Sequence, residues 1–214
     1  MKDIAIFGVG GFGREVLTLI QDINRVSKEY NILGFFDDGH DKGEMVNGYP
    51  VLGKMDELNQ WSGELCLAVS IGNPKVKKSV IDRIVNPHVS YPTLIHPSVL
   101  IGDKKYVEIG QGCIICAGNI ITTNIRVGHY VIMNLSCTTG HDSIIGDFSA
   151  FMPSVNISGE VKVGDGVYVG TGVKIINQVV IGEYAIIGAG AVVVRNIPSH
   201  CTAVGVPARV INQK

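Results

Sequence analysis

The chain has 214 residues, enough for one large domain or two small ones, each with its own core. Only 17% of the residues are charged and the formal net charge is -1, which excludes a general electrostatic pull toward nucleic acid or anionic lipid and points to small-molecule partners. The opening "MKDIAIFGVGG" is too short an apolar run for a secretory leader, no stretch reaches the roughly 18 apolar residues of a membrane span, and five cysteines at irregular spacing make no disulfide framework, so a cytoplasmic protein with reduced thiols and no membrane span is expected.

The first half alternates apolar runs with helical patterns. Residues 2–7 read as a strand, 13–28 as a helix, "NILGFFDD" as a second strand, 54–60 as a short helix, "LCLAVSIGN" as a third strand and 74–86 as another helix, with 88–94 leading out. Strands alternating with helices predict a parallel sheet, whose ligands sit at the carboxyl ends of the strands. The places to look are therefore the glycines after the first strand, the acidic pair Asp37 and Asp38 after the second, and Gly72-Asn73 after the third. Gly8, Gly10 and Gly13 match the dinucleotide fingerprint, and Asp37 follows Gly13 by 24 residues, a spacing that suits a ribose-binding acid. The fingerprint by itself does not separate a nicotinamide dinucleotide from another nucleotide diphosphate, because loop N–H groups at a helix N-terminus favour any phosphate.

From about Ile95 the pattern changes. Residues 109–198 divide into fifteen hexads without a slip: the first position is apolar in all but one, Thr139 being the exception, and the fifth carries Cys, Asn, Ser, Ala, Val or Ile. Positions five and one lie two residues apart, so in an extended chain both point to the same side, which is read as the inside. Every Asp, Glu, Lys and Arg of the stretch falls at a third, fourth or sixth position, and other phases would bury several of them unpaired. Gly110, Gly128, Gly146, Gly164 and Gly182 recur at a spacing of 18, read as turn glycines with positive φ. Three hexads per coil of a triangular prism predict a parallel β-helix of five coils, with Ile95 and Ile101 opening it before a two-residue offset around "DKKYVE". No second α/β catalytic domain remains, which argues against hydride transfer, and NAD is not expected.

Within this repeat, "MNLSCTTGHDSIIGD" breaks the bland pattern with Asn134, Thr139, His141 and Asp142. His141, at a third position, faces outward. Imidazole, with a reference pKa near 6.5, suits a general base at neutral pH, and the adjacent carboxylate can fix its tautomer. His129, also at a third position but with no acid beside it in sequence, serves as the internal control for an outward histidine without a role. In "CIIC", Cys113 lies at an inward position and Cys116 at a turn, so both are read as structural, and no metal site is expected.

Hexapeptide repeats ending in "AVGVPARV", preceded by an α/β domain that opens "GVGGFGRE" and holds "FFDD" and "SIGN", resemble the acyltransferases that acetylate nucleotide-linked amino sugars, together with the sialic acid O-acetyltransferase group. The resemblance covers essentially the whole chain and is strongest to the UDP-amino-sugar N-acetyltransferases of bacillosamine synthesis. It implies a Rossmann-like α/β domain over residues 1–93 that binds the nucleotide-sugar, followed by a left-handed parallel β-helix over 94–214 that carries the chemistry in a homotrimer. It also implies acetyl-CoA as donor, His141 as catalytic base and Asp142 as its modulator. For the substrate it implies Gly10, Gly11, Phe12, Asp37, Asp38, Gly72 and Asn134. For the cofactor it implies Ala150, Gly159, Thr171 and Ala189, with the Gly159 N–H facing the developing oxyanion and Lys174, Arg195 and Arg209 as phosphate partners. The sequence departs from the closest pattern at Ala150 and Phe12, where those enzymes carry histidines. The acceptor is read as the amine of a UDP-4-amino-4,6-dideoxy sugar. Sugar O-acetylation with the same base, and a non-catalytic trimeric nucleotide-binding scaffold, are the alternative readings.

Overall fold

A computed structural model describes residues 1–213 and divides the chain into two compact units, Met1–Pro97 and the part from Ser98 onward.

The first unit is a parallel sheet flanked by helices. Its elements are β1 (Lys2–Phe7), α1 (Gly11–Val26), β2 (Tyr30–Phe36), β3 (Met45–Val46), β4 (Tyr49–Gly53), α2 (Met55–Asn59), β5 (Leu65–Val69), α3 (Pro74–Arg83) and β6 (Val89–Ser90). The strand order is β3-β4-β2-β1-β5-β6, so the chain reverses direction of travel across the sheet at β1, and the β1/β5 crevice is its switch point. β5 is buried along its whole length, as is β1 from Ile4, which is why both read as unbroken apolar runs rather than alternating ones. Phe7, Phe36, Leu58, Leu67 and Val80 meet on one face of the sheet. α1 begins two residues earlier than its apolar periodicity predicts, because Gly11 and Phe12 already have helical geometry on the exposed side of the first turn. The β3–β4 hairpin is absent from the sequence reading. Its signal is present in "VNGYP": Asn47 (φ 46°) and Gly48 (φ 84°) form the paired left-handed turn that an Asn-Gly dipeptide favours. β4 then pairs parallel to β2 and extends the sheet.

The second unit is the left-handed β-helix. Strands of two or three residues stack in three parallel sheets, each pairing with the strand 18 residues on; Ile132↔Ala150, Thr138↔Asn156 and Ile144↔Lys162 are one rung of each. Every fifth position from Cys113 to Ile197 is buried, and so is every first position except Ile109, as the hexad phase requires. Each fully enclosed Val or Ile contributes about 1.5–3 kcal/mol. The opening coil carries the expected two-residue insertion: Ile101 pairs with Ile121 whereas Ile109 pairs with Val127, and Lys104–Tyr106 form the bulge as a 3-10 turn. At the far end Cys201–Val204 and Arg209–Gln213 close the stack as an antiparallel pair.

The role expected of the 18-spaced glycines is corrected by the structure. None of Gly110, Gly128, Gly146, Gly164 and Gly182 has positive φ. They are small because successive coils touch there: a Cβ on Gly128 would lie 2.3 Å from Asp147 Oδ1, and one on Gly182 would lie 2.3 Å from the Ser199 nitrogen. The left-handed residue is instead the fourth of each hexad, from Gly112 through Asn124, Tyr130, Asp142 and Glu160 to Gly190, and most of these are not glycine. No helix among the described residues is long and apolar enough to cross a membrane.

Candidate active site

In the first unit the glycine-rich turn is built by close approach. Gly8 (φ +105°) lets the chain turn out of β1, and a Cβ on Gly13 would fall 1.9 Å from the Gly8 carbonyl oxygen, so only glycine allows α1 to start so near the strand. Ser70, at the end of β5, locks the turn: its hydroxyl donates to the carbonyls of Phe7 (2.8 Å) and Gly8 (3.1 Å). Sequence reasoning did not single out Ser70, although it opens the "SIGN" stretch two residues before Gly72. Gly10 and Gly11 differ from Gly8 and Gly13 in that a Cβ on either would meet nothing within 4 Å. They face open space at the start of a sixteen-residue helix, next to half-exposed Phe12 and across the crevice from half-exposed Gly72.

The acidic pair is divided by the fold. Asp37 stays at the turn, where Oδ2 accepts from the Val9 N–H (2.9 Å) and Oδ1 from the Gly39 N–H (2.8 Å). Asp38 turns the other way: Oδ1 accepts from the Met55 N–H at the start of α2 (2.9 Å) and Oδ2 pairs with Arg83 (3.2 Å). Both carboxylates thus hold local backbone in place. An ionised carboxylate has about four acceptor sites, so each keeps capacity for a further donor.

On the β-helix, His141 and Asp142 occupy the third and fourth places of one corner, and Asp142 adopts the left-handed conformation (φ 59°) that the corner imposes. This turns its side chain back along the chain, and Oδ2 meets His141 Nδ1 at 2.8 Å. Asp142 Oδ1 accepts from Asn124 Nδ2 at 3.0 Å, one coil earlier on the same corner. The hydrogen bond to His141, and then that from Asn124, hold the Asp142 carboxyl below the usual carboxylate range. Both side chains of the His–Asp pair are exposed, 58% and 50%. One coil further on lies Gly159, which is buried. Asp142 also lines one end of a groove of about 410 Å³, with Lys105, Tyr106 and Arg126 among its other walls.

The other predicted positions spread over the prism. Thr171 and Ala189 stack 18 residues apart on another corner, both exposed, with the Gly190 N–H donating to the Thr171 carbonyl (2.8 Å). Ala150 is fully buried within its sheet. Asn134 is 7% exposed, and its Oδ1 accepts from the Leu135 N–H (2.7 Å). Lys174 is engaged by Asn156 and by the Ser154 carbonyl. His129 has structural work: its Nδ1 accepts from the Gln111 N–H (3.1 Å) and its backbone N–H donates to Asp147 Oδ1 (2.7 Å). All five cysteines are buried and none is in a disulfide. Among the described residues no three His, Cys, Asp or Glu side chains are placed to hold a metal ion.

Comparison with known proteins agrees with this two-part build. The PglD N-terminal domain model matches residues 3–84, and the bacterial transferase hexapeptide (six repeats) model matches residues 160–195. The chain is 34% identical over 173 residues to GDP-perosamine N-acetyltransferase of Escherichia coli O157:H7, covering 80% of this chain and 77% of that one. Among solved structures, PerB from Caulobacter crescentus, in complex with CoA and GDP-perosamine, superposes with a TM-score of 0.87 at 29% identity over 99% of this chain and 98% of that one. The acetyltransferase domain of PglB from Neisseria gonorrhoeae FA1090, in complex with acetyl coenzyme A, gives 0.88 at 30% identity over 98% and 99%. The chain therefore belongs to the hexapeptide-repeat sugar acetyltransferases and is an acyltransferase that uses acetyl-CoA.

Proposed function

We propose that the protein transfers the acetyl group of acetyl-CoA to the amine of a nucleotide-linked 4-amino-4,6-dideoxy sugar, with His141 as general base. The observation that carries this reading is the His141 Nδ1···Asp142 Oδ2 contact of 2.8 Å on an exposed corner. A proton on Nδ1, held by the carboxylate, leaves the Nε2 lone pair to remove a proton as the amine attacks the thioester carbonyl. The imidazolium so formed is stabilised by Asp142, and the Gly159 N–H is assigned to the oxyanion of the tetrahedral intermediate, whose collapse expels the CoA thiolate. His141 then returns the proton to the thiolate or to solvent, and no acyl-enzyme forms.

The first unit is assigned to the nucleotide diphosphate. Helix α1 has unpaired N–H groups in its first turn, and Gly10 and Gly11 leave room for phosphate oxygens against them. The amine acceptor is favoured over a hydroxyl by the relative named GDP-perosamine N-acetyltransferase. A homotrimer is the proposed assembly; Leu100, Ile120, Ile144 and Val180, each more than 40% exposed at outward positions of the prism, are apolar surface that neighbouring copies would cover.

The test is CoA release against a panel of GDP-, UDP-, dTDP- and CMP-linked sugars with amino and hydroxyl acceptors. One amino sugar should stand out, and His141→Ala should reduce its turnover by orders of magnitude while leaving nucleotide-sugar binding near wild type. Full turnover in that variant would remove His141 from its role.

A further inference from the structure

The two oxygens of Asp142 are used by different partners. Oδ2 faces His141 Nδ1 at 2.8 Å, and Oδ1 accepts from Asn124 Nδ2 at 3.0 Å. Asn124 stands 18 residues before Asp142, on the same corner of the preceding coil and in the same left-handed conformation (φ 55° and 59°). Asparagine tolerates that conformation better than most residues, and its short amide reaches one coil spacing, about 4.8 Å. The Asp142 backbone is itself fixed, its N–H donating to the Thr123 carbonyl (3.1 Å). With the backbone fixed, the carboxylate is aimed by χ1 and χ2, the latter a broad torsion that sterics alone do not set. The Asn124 amide holds one end of it through Oδ1.

We infer that Asn124 is a positioning residue for acetyl transfer: by holding Oδ1 it turns Oδ2 onto His141 Nδ1 and so keeps the Nε2 lone pair of His141 directed outward for the incoming amine. The inference rests on the reading of His141 as base. Other charges stand around the pair. Glu160 is next in the same column and is engaged by Gln178 Nε2 (3.2 Å); Arg126 and Lys105 lie along the adjoining groove. None of them donates to Asp142 Oδ1, so Asn124 is its donor.

The experiment compares wild type with Asn124→Gly, which removes the amide while suiting the positive φ, and with Asn124→Asp, which replaces the donor by a like charge. Two quantities are read: the ring ¹⁵N shifts of His141 across pH, and kcat with KM for acetyl-CoA. In Asn124→Gly the Nε2–H tautomer should gain population, and kcat should fall about three- to tenfold, the scale of one net hydrogen bond, with KM for acetyl-CoA unchanged. Asn124→Asp should lower kcat further. Ring signals identical to wild type in Asn124→Gly would overturn the inference, whether or not kcat changes. A shifted ring with unchanged kcat would count against His141 as base and not against the Asn124 contact; His141→Ala, retaining turnover in that case, separates the two.

Discussion

Gly159 lies directly against the His141 ring from one coil on: a methyl group added to Gly159 would sit 2.5 Å from Nε2, and its three nearest atoms would all belong to that imidazole. His141 and Gly159 are therefore neighbours because the repeat stacks residue i on i+18, not because they are near in sequence.

Gly159→Ala follows from this contact. Gly159 is outside the left-handed region, so its backbone accepts a side chain, and the exposed imidazole can move aside. Stability should change by no more than about 1 kcal/mol. Turnover should fall at least about tenfold, because even a small misplacement of a reacting group is costly. Thermal unfolding and steady-state kinetics check both halves, and wild-type kcat in this variant would show that the ring position is immaterial.

For Asp142 the sign of the pH effect is set by its lowered pKa, caused first by the His141 hydrogen bond and then by Asn124. A carboxyl with a depressed folded-state value stabilises the fold above its unfolded value and loses that contribution as pH falls through the folded one. The carboxylate therefore stays charged beside His141 through neutral and weakly acid pH. Under the role proposed for His141, Asp142→Asn, which removes that charge, should reduce kcat about tenfold or more at neutral pH. Wild-type kcat in Asp142→Asn would disconnect Asp142 from the reaction.

The glycines of the first turn should separate into two classes. Gly13→Ala drives a methyl into the Gly8 carbonyl and should destabilise the first unit by about 1–3 kcal/mol in denaturant unfolding. Gly11→Ala meets no atom and should leave stability unchanged while weakening nucleotide-sugar binding measured by calorimetry. Equal affinity in Gly11→Ala would place the phosphates elsewhere.

Burial pushes the Cys137 thiol up to about 11. Its neutral form is thus favoured in the fold, a contribution fully present below the ordinary thiol value and lost as pH rises through the raised one. The native protein should resist iodoacetamide at pH 8 and become alkylated only in denaturant, and stability should decline as pH climbs from about 9 toward 11. Rapid labelling of Cys137 in native protein at pH 8 would contradict its enclosure.

The β-helix was legible because a period of six with two inward positions leaves one phase that buries no charge, and every buried first and fifth position from Cys113 onward obeys it. The 18-residue glycine spacing was also visible, but its cause was not: whether a glycine is needed for φ or for contact depends on the neighbouring coil, and at Gly128 the neighbour is Asp147. The β3–β4 hairpin was missed although Asn47-Gly48 announces it, since a two-residue strand has too few positions to show alternation. The His141–Asp142 pair could be picked out as adjacent residues that break the repeat.

The amino-acid sequence by itself determined the two-part architecture, the inward-facing set of the prism and the outward place of His141, because these follow from local periodicity and the cost of burying charge. Tertiary structure alone decided which groups meet. It sent Asp37 and Asp38 to different partners, set Asn124 on Asp142 and Gly159 under His141, and gave His129 a structural hydrogen bond. Such contacts join residues 17 to 28 apart through coil stacking and sheet order. Hydrogen bonds and steric fit act over a few ångströms in space, whatever the separation along the chain.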